Sequence, residues 1–261
     1  LPSTPKHVLL YDMLGWEKPV FVHLPTVLNK DHKKLSKRND DVAVEDFRAQ
    51  GYLPEGLINY LALVGWSPED NQEIFTMDEL IEAFDFTRVS SSGGIFDRDK
   101  LNWVNAQHIK QKSDEELAAL LQPYLKEAGR IDDETDPAWL MLLAATFKEN
   151  LHTLQDIVEE SAMVFADTVD TVEPEAEEYL QSEQAPVLAK AMHEAIGSVE
   201  DFAEEAKTLM KRVQKETGIK GKPLFMTMRS LLTGSVHGPD LNQLLLLLGP
   251  DKLQRRLQAY L

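Results

Sequence analysis

The stretch Asp31–Asp40, DHKKLSKRND, gathers Lys33, Lys34, Lys37 and Arg38 into a few positions of a chain whose formal net charge is −17. Lys34 and Lys37 lie three apart, with the Ser36 hydroxyl between them and Arg38 next. On a tight loop, two ammonium groups and a hydroxyl can converge on one polyphosphate. Lysine suits that task as a mobile point charge that can follow the charge developing on a leaving group. Charge alone favours a plainer reading, a solvated basic turn or a loop tip open to phosphorylation. No other pattern competes for chemistry. The chain has no cysteine, so thiolate nucleophiles, disulfides and thiolate zinc sites are excluded, which suits a reducing compartment. There is no GxSxG elbow, no HExxH pair and no EF-hand loop. The 7 histidines do not pair at metal-ligand spacing, and His152 and His193 read as surface or boundary residues. Gly93-Gly94 lacks the Lys-Ser/Thr that would make it a Walker loop.

The elements that must position this loop are mostly helical. A helix is predicted from Thr4 as N-cap and Pro5 at the first position to a stop at Gly15. Val20–His23 reads as a short β-like run closed by Pro25. From Val44 onward helices follow one another. LPEGLINYLALVG places Leu57, Ile58, Leu61 and Ala62 on one face. Capping boxes open helices at Thr76/Glu79 and Ser113/Glu116, and Asp136 caps another with Pro137 behind it. Pro123 falls inside the helix begun at Ser113 and is expected to kink it. The acidic segment VDTVEPEAEEYLQSEQ reads as a connector or short helix, and Phe202, Ala206, Leu209, Met210 and Val213 form one stripe. Three short helices end the chain, separated by Gly234 and by Gly249-Pro250. The 261 residues suffice for one large domain or two to three small ones, and no apolar run approaches the ~20 residues that span a bilayer. The acidic balance argues against non-specific nucleic-acid binding, so any such site must be local and shaped.

Context changes the weight given to the basic stretch. KLSKR resembles the KMSKS signature of class I aminoacyl-tRNA synthetases. Around it, TPKHVLLYDMLGW, HLPTVLN, VEDFRAQGYLPEGLINYLALVGWSP, FDRDKLNWVNAQHI and KGKPLFMTMRSLLTGSVHGPDL resemble bacterial-type glutamyl-tRNA synthetases in order and spacing. The resemblance covers nearly the whole chain, least distinctively at Glu159–Ala195. It implies a mainly α protein: the end of a Rossmann-type catalytic domain with the KMSKS loop (1–40), a stem-contact α/β segment (41–112), and two helical anticodon-binding bundles (113–196 and 197–261). The HIGH motif of that family, which holds ATP and the amino acid, has no counterpart here. The start at LPSTP, without Met, is therefore expected to mark a chain lacking its natural N-terminus, unable to activate an amino acid by itself.

The resemblance also implies roles. Lys37, at the second lysine of the motif, would be the main contact to the ATP triphosphate as pyrophosphate leaves, with Lys34, Ser36 and Arg38 in support; Lys34 and Lys37 are the catalytic candidates. Leu35 and Arg38 depart from the Met and final Ser of the signature. Arg88, Arg98 and Lys100 would meet tRNA phosphates, with surface ion pairs as the plainer reading, Asp97 and Asp99 holding Arg98. Arg229 would read anticodon bases, with His237 and Pro239 stacking on them or shaping the loop; the alternative is a helix-ending turn with Arg229 on a carboxylate. Lys211, Arg212 and Lys215, joined by Lys220 and Lys222, form a further basic patch, either a solvated face or a phosphate-facing side. Partners are ATP (with Mg2+ in the full-length enzyme), tRNA for glutamate, and glutamate through the part not represented here. No metal site, no membrane association, a monomer and a cytoplasmic setting are expected. Two other classes stay open: an acidic helical protein-interaction module that kept the fold, and a general nucleotide-hydrolysing protein, which the lack of a second phosphate motif disfavours.

Overall fold

A computed structural model describes residues 2–35, 43–169 and 171–261. The chain divides into two compact units, Leu1–Gln107 and His108–Leu261. Helices dominate both, and β structure among the described residues is limited to isolated bridges, Leu28 with Lys34, Leu28 with Ile95, and Trp66 with Val89.

The first unit begins with α1 (Thr4–Leu14), ended by Gly15 in the left-handed conformation at φ 64°. The N-cap is Ser3 rather than Thr4, a shift of one residue. Val20–His23 forms no strand: the segment is exposed and has no pairing partner. Next come α2 (Val44–Ala49), α3 (Pro54–Gly65), α4 (Met77–Ala83) and α5 (Arg98–Gln111), the last beginning in this unit. The core joins Phe47, Tyr52, Leu57, Tyr60, Leu101 and Val104, with Trp66, Phe75 and Leu80 as a neighbouring cluster. The face of α3 differs from the one its periodicity suggests. Ile58 is 42% and Leu61 48% exposed, whereas Gly56, Leu57, Asn59 and Tyr60 are buried. The cause is long-range. A Cβ on Gly56 would stand 2.5 Å from Asn105 Oδ1, so Gly56 lets α3 approach α5 closely, and Asn105 accepts the Leu53 N–H at 2.8 Å. Asn59 accepts the Phe75 N–H at 2.9 Å and donates to the Glu73 carbonyl at 3.0 Å, fixing the start of α4.

The second unit contains α6 (Asp114–Glu127), α7 (Pro137–Phe147), the single turns α8 (Ile157–Glu160) and α9 (Ala162–Phe165), α10 (Pro174–Leu180), α11 (Gln184–Gly197), α12 (Phe202–Thr217), α13 (Lys222–Thr233) and α14 (Leu241–Gln258). Ser113/Glu116 and Asp136 cap as their sequences require. α6 continues through Pro123, with Leu121 and Leu125 buried on either side. α6 packs on α7, while α11 packs on α12, α13 and α14. The expected boundary at 196/197 falls at the last residue of α11, which packs on α12, α13 and α14 within one unit. Gly249, at φ 71° and ψ 166°, breaks α14 into two helical segments before Pro250. That conformation favours glycine, because an L side chain would clash with the adjacent backbone.

Candidate functional site

Lys34 sits on a small hairpin. Leu28 and Lys34 face each other across an antiparallel bridge, and the Leu35 N–H donates to the Val27 carbonyl at 3.3 Å. The tip is built by Asn29, whose Oδ1 accepts the N–H groups of Asp31 and Lys33, each at 3.0 Å. His32 adopts φ 59° there. The hairpin is pinned to the segment before α5: Leu28 N–H donates to the Gly94 carbonyl at 2.9 Å, and Phe96 N–H to the Leu28 carbonyl at 2.7 Å. The Gly93-Gly94 pair permits two close approaches, Gly93 to the segment leading into the hairpin and Gly94 to the end of α3. A Cβ on Gly93 would stand 2.6 Å from the Thr26 carbonyl oxygen, and one on Gly94 only 2.0 Å from that of Val64.

Lys30 completes the anchor by bridging Asp97 at 3.4 Å and Asp99 at 3.2 Å. The Asp99 hydrogen bond and the nearby Asp97 charge hold the Lys30 ammonium above its usual range. Desolvation works to raise the Asp97 carboxyl, but the Asp99 N–H and Lys30 outweigh it and keep it below the usual carboxylate range. Lys33 and Lys34 are exposed, and among the described residues no carboxylate pairs with either. Ser36, Lys37 and Arg38, and the roles expected of them, lie outside the described residues.

The three cations expected to meet phosphates in the first unit are engaged within it. Arg88 donates through Nε to the Ser67 carbonyl and through Nη2 to the Pro68 carbonyl, both at 2.7 Å. Arg98 is not held by Asp97 and Asp99, which Lys30 occupies. It donates to Gln50 Oε1 at 2.8 Å, and its guanidinium lies 5.2 Å from the Phe47 ring centroid and 5.7 Å from that of Phe96. Lys100 pairs with Glu73 at 2.6 Å and stands 4.2 Å over the Trp103 ring, which is 40% exposed.

In the second unit the structure brings Arg229 and Pro239 together. The Arg229 guanidinium, on α13, donates through Nη1 to the Pro239 carbonyl at 2.5 Å, closing the loop that follows Gly234. Gly234, at φ 73°, lets residues 171–173 pass so close that a Cβ there would stand 2.1 Å from the Thr171 carbonyl oxygen. Ser235 Oγ donates to Glu173 at 2.7 Å, and His237 faces Glu175 at 3.5 Å. Pro239 is buried and His237 exposed. Burial pulls the Arg229 guanidinium below its ordinary value, while Asp240 works in the opposite direction. The plainer reading of Arg229, a partner carboxylate, gives way to a carbonyl latch with Asp240 as background charge.

Sequence reasoning missed Lys30, Asn29 and Arg256. Arg256 is buried and donates to the carbonyls of Leu232 at 2.5 Å, Met163 at 2.7 Å and Ala166. Only Asn29, a turn former, left a local signal. Among the described residues no three His, Asp or Glu side chains are placed to hold a metal ion, and no helix is long and apolar enough to cross a membrane.

Comparison with known proteins matches the same division. Residues 1–103 match the family model of the class I tRNA synthetases (E and Q), catalytic domain, and residues 116–261 match that of the anticodon binding domain. The glutamate–tRNA ligase of Finegoldia magna is 51% identical over 262 aligned positions, covering 100% of this chain and 53% of the relative. That of Clostridioides difficile is 50% identical, covering 98% and 52%. Among solved structures, a glutamate tRNA ligase from Elizabethkingia meningosepticum, in complex with its amino acid, superposes with a TM-score of 0.80 at 30% identity. It covers 99% of this chain and 54% of that one. The chain thus spans about half the length of the curated relatives it matches.

Proposed function

Because this chain belongs to the glutamyl-tRNA synthetase family, with a class I catalytic-domain segment followed by an anticodon-binding domain, we propose that it is the tRNA-binding and KMSKS-loop portion of a glutamate–tRNA ligase. The whole enzyme would join glutamate to its tRNA through a glutamyl-adenylate made from ATP. The observation that carries this reading is identity of about half to glutamate–tRNA ligases along the entire chain rather than over one motif.

In this reading residues 1–40 close the catalytic domain, 41–112 contact the stem, and 113–196 and 197–261 meet the anticodon. Lys37 meets the triphosphate, supported by Lys34, Ser36 and Arg38. The hairpin explains how Lys34 is presented: Asn29 shapes the tip, Lys30 ties it down, and the ammonium of Lys34 stays in solvent. For Arg88 and Arg98 we replace phosphate contact with positioning, because their donors already meet the unit's own carbonyls and Gln50. Lys100, part-exposed over Trp103 and paired with the exposed Glu73, keeps the phosphate role through the remaining donors of its ammonium. Arg229 and Pro239 form the anticodon-facing corner, with His237 on the same loop. Mg2+ would accompany the ATP in the whole enzyme. A monomer in the cytoplasm fits this role.

Filter binding of the chain to tRNA for glutamate and to a control tRNA, across a salt series, tests the reading. We expect tighter binding of the glutamate tRNA at every salt concentration. Equal retention of both RNAs would remove the assignment and favour a protein-interaction module.

A further inference from the structure

Apart from the hairpin and the Arg229 loop, one surface stands out by its charge. Lys207, Lys211 and Lys215 follow one another at i, i+4 and i+8 on α12, all exposed. At 100° per residue they fall within an arc of about 80°, successive side chains about 6 Å apart along the axis. The opposite stripe, Ala206, Leu209, Met210 and Val213, is buried. Past the left-handed Gly218 the chain adds Lys220 and Lys222, also exposed.

Among the described residues none of these five lysines pairs with a carboxylate, in a chain with 44 Asp and Glu. Elsewhere Lys18, Lys100, Lys110, Lys126 and Lys148 each meet a carboxylate at 2.7 Å or closer. Even the neighbouring Arg212 is drawn off to Glu205 at 3.4 Å and Ser198 at 2.6 Å. Like charges at i, i+4 oppose helix formation, so the row works against its own helix. The flanking positions Thr208 and Gln214 are polar, and the exposed Glu204, three residues before Lys207, falls within the same arc at its N-terminal end without an ion pair to the row among the described residues. A protein partner needs an apolar or aromatic anchor, which this row lacks; a polyphosphate backbone needs only spaced positive charge.

We propose that the Lys207–Lys211–Lys215 row, continued in sequence by Lys220 and Lys222, is an RNA-backbone contact separate from the Arg229 loop. It supplies sequence-independent affinity, while Arg229 supplies choice. The inference rests on the proposed tRNA binding and goes beyond it in naming a second surface with a different physical task.

The test is filter binding of the full chain to tRNA for glutamate between 50 and 200 mM KCl, comparing wild type with K207Q/K211Q/K215Q and with the all-arginine variant at those positions. Each phosphate neutralised contributes about 0.7–0.9 to the slope of log K against log[salt]. Three contacts therefore predict a slope shallower by about 2–3 in the glutamine variant, affinity at least tenfold weaker at 0.1 M, and a normal slope for the arginine variant. Cognate and control tRNA should lose affinity by the same factor. If the triple variant fails to fold, K211Q alone should lower the slope by about 0.7–0.9. Wild-type binding with an unchanged slope and affinity in these variants would overturn the row and leave the tRNA reading standing. A self-association lost with the glutamines, at unchanged RNA affinity, would also overturn it. Failure of the wild type to bind tRNA would remove both.

Discussion

Replacing Arg229 by alanine separates two tasks, one that the structure shows and one that the proposed function adds. The first is internal. Nη1 donates to the Pro239 carbonyl at 2.5 Å, and Pro239 is buried. Hydrogen bonds to charged groups contribute about 1.5–3 kcal/mol net, and a buried acceptor left unpaired costs about 1–3 kcal/mol. R229A should therefore destabilise the second unit by about 2–3 kcal/mol, read by urea unfolding. The second task is recognition. An arginine with donors remaining beyond the latch can present them to an unstacked base, and a good bidentate base contact is worth about 1–3 kcal/mol of discrimination. In filter binding at a temperature where the variant is folded, the ratio of affinities for tRNA with the cognate anticodon and tRNA with one altered anticodon base should fall tenfold or more. R229K should recover part of the stability, since an ammonium can still donate to one carbonyl, but not the ratio, since it lacks the planar fork. If R229A weakens both tRNAs equally, Arg229 is a latch alone and the recognition argument fails. It fails equally if R229K restores the full ratio.

In the intact synthetase, K37A should lower the adenylation rate, measured by ATP–pyrophosphate exchange, at least a hundredfold with tRNA affinity within twofold, because the phosphate charge is met mainly in the transition state; equal losses in both would contradict the assignment. R256A should destabilise the second unit by about 3–5 kcal/mol, since three carbonyls lose a charged donor in the interior; a urea midpoint within error of wild type would contradict that role. Burial pushes the Tyr60 hydroxyl up to about 12. The folded state thus holds that proton more tightly than the unfolded chain does. Its contribution is complete below pH 10 and lost as pH rises from about 10 to 12, a fall of about 2–3 kcal/mol. Urea unfolding monitored by fluorescence should show this slope in wild type and a shallower one in Y60F.

Features decided within one turn of chain were legible in the sequence. The boxes at Thr76/Glu79 and Ser113/Glu116, the Asp136 cap and the Gly218 and Gly234 stops depend only on neighbours three or four residues away. What eluded the sequence depends on partners far along the chain. α3 turns Tyr60 inward and Ile58 and Leu61 outward because Gly56 admits Asn105, and Gly-Asn proximity leaves no periodic mark. Val20–His23 carries β-forming residues but meets no partner, whereas Leu28, outside that run, bridges both Lys34 and Ile95. Lys30 reaches Asp97 and Asp99 almost seventy residues on, which is why those carboxylates read as partners of the adjacent Arg98 from sequence alone. The family itself was legible through the order of its sequence blocks along the chain, not through charge.

The basic groups of the second unit divide by direction, and the division has a physical cause. In a chain of net charge −17, a cation turned inward among carbonyls can fix geometry without depending on salt, whereas one turned outward into solvent is screened within about 8 Å at physiological ionic strength. Arg256 and Lys252 turn inward. The Gly249 kink redirects the second half of α14, where Lys252 donates to the Val164 carbonyl at 2.8 Å and Arg256 to that of Leu232 at 2.5 Å. Leu232 lies one turn from the Arg229 loop, so this buried clamp sets the floor on which the loop is shaped. The lysines of α12 turn outward and pair with no acid among the described residues. On the proposed assignments, salt should therefore weaken tRNA affinity through the lysines while leaving anticodon discrimination, assigned to the part-buried Arg229, nearly constant. Discrimination that collapsed in parallel with affinity would show that the two sets of charges are not separable.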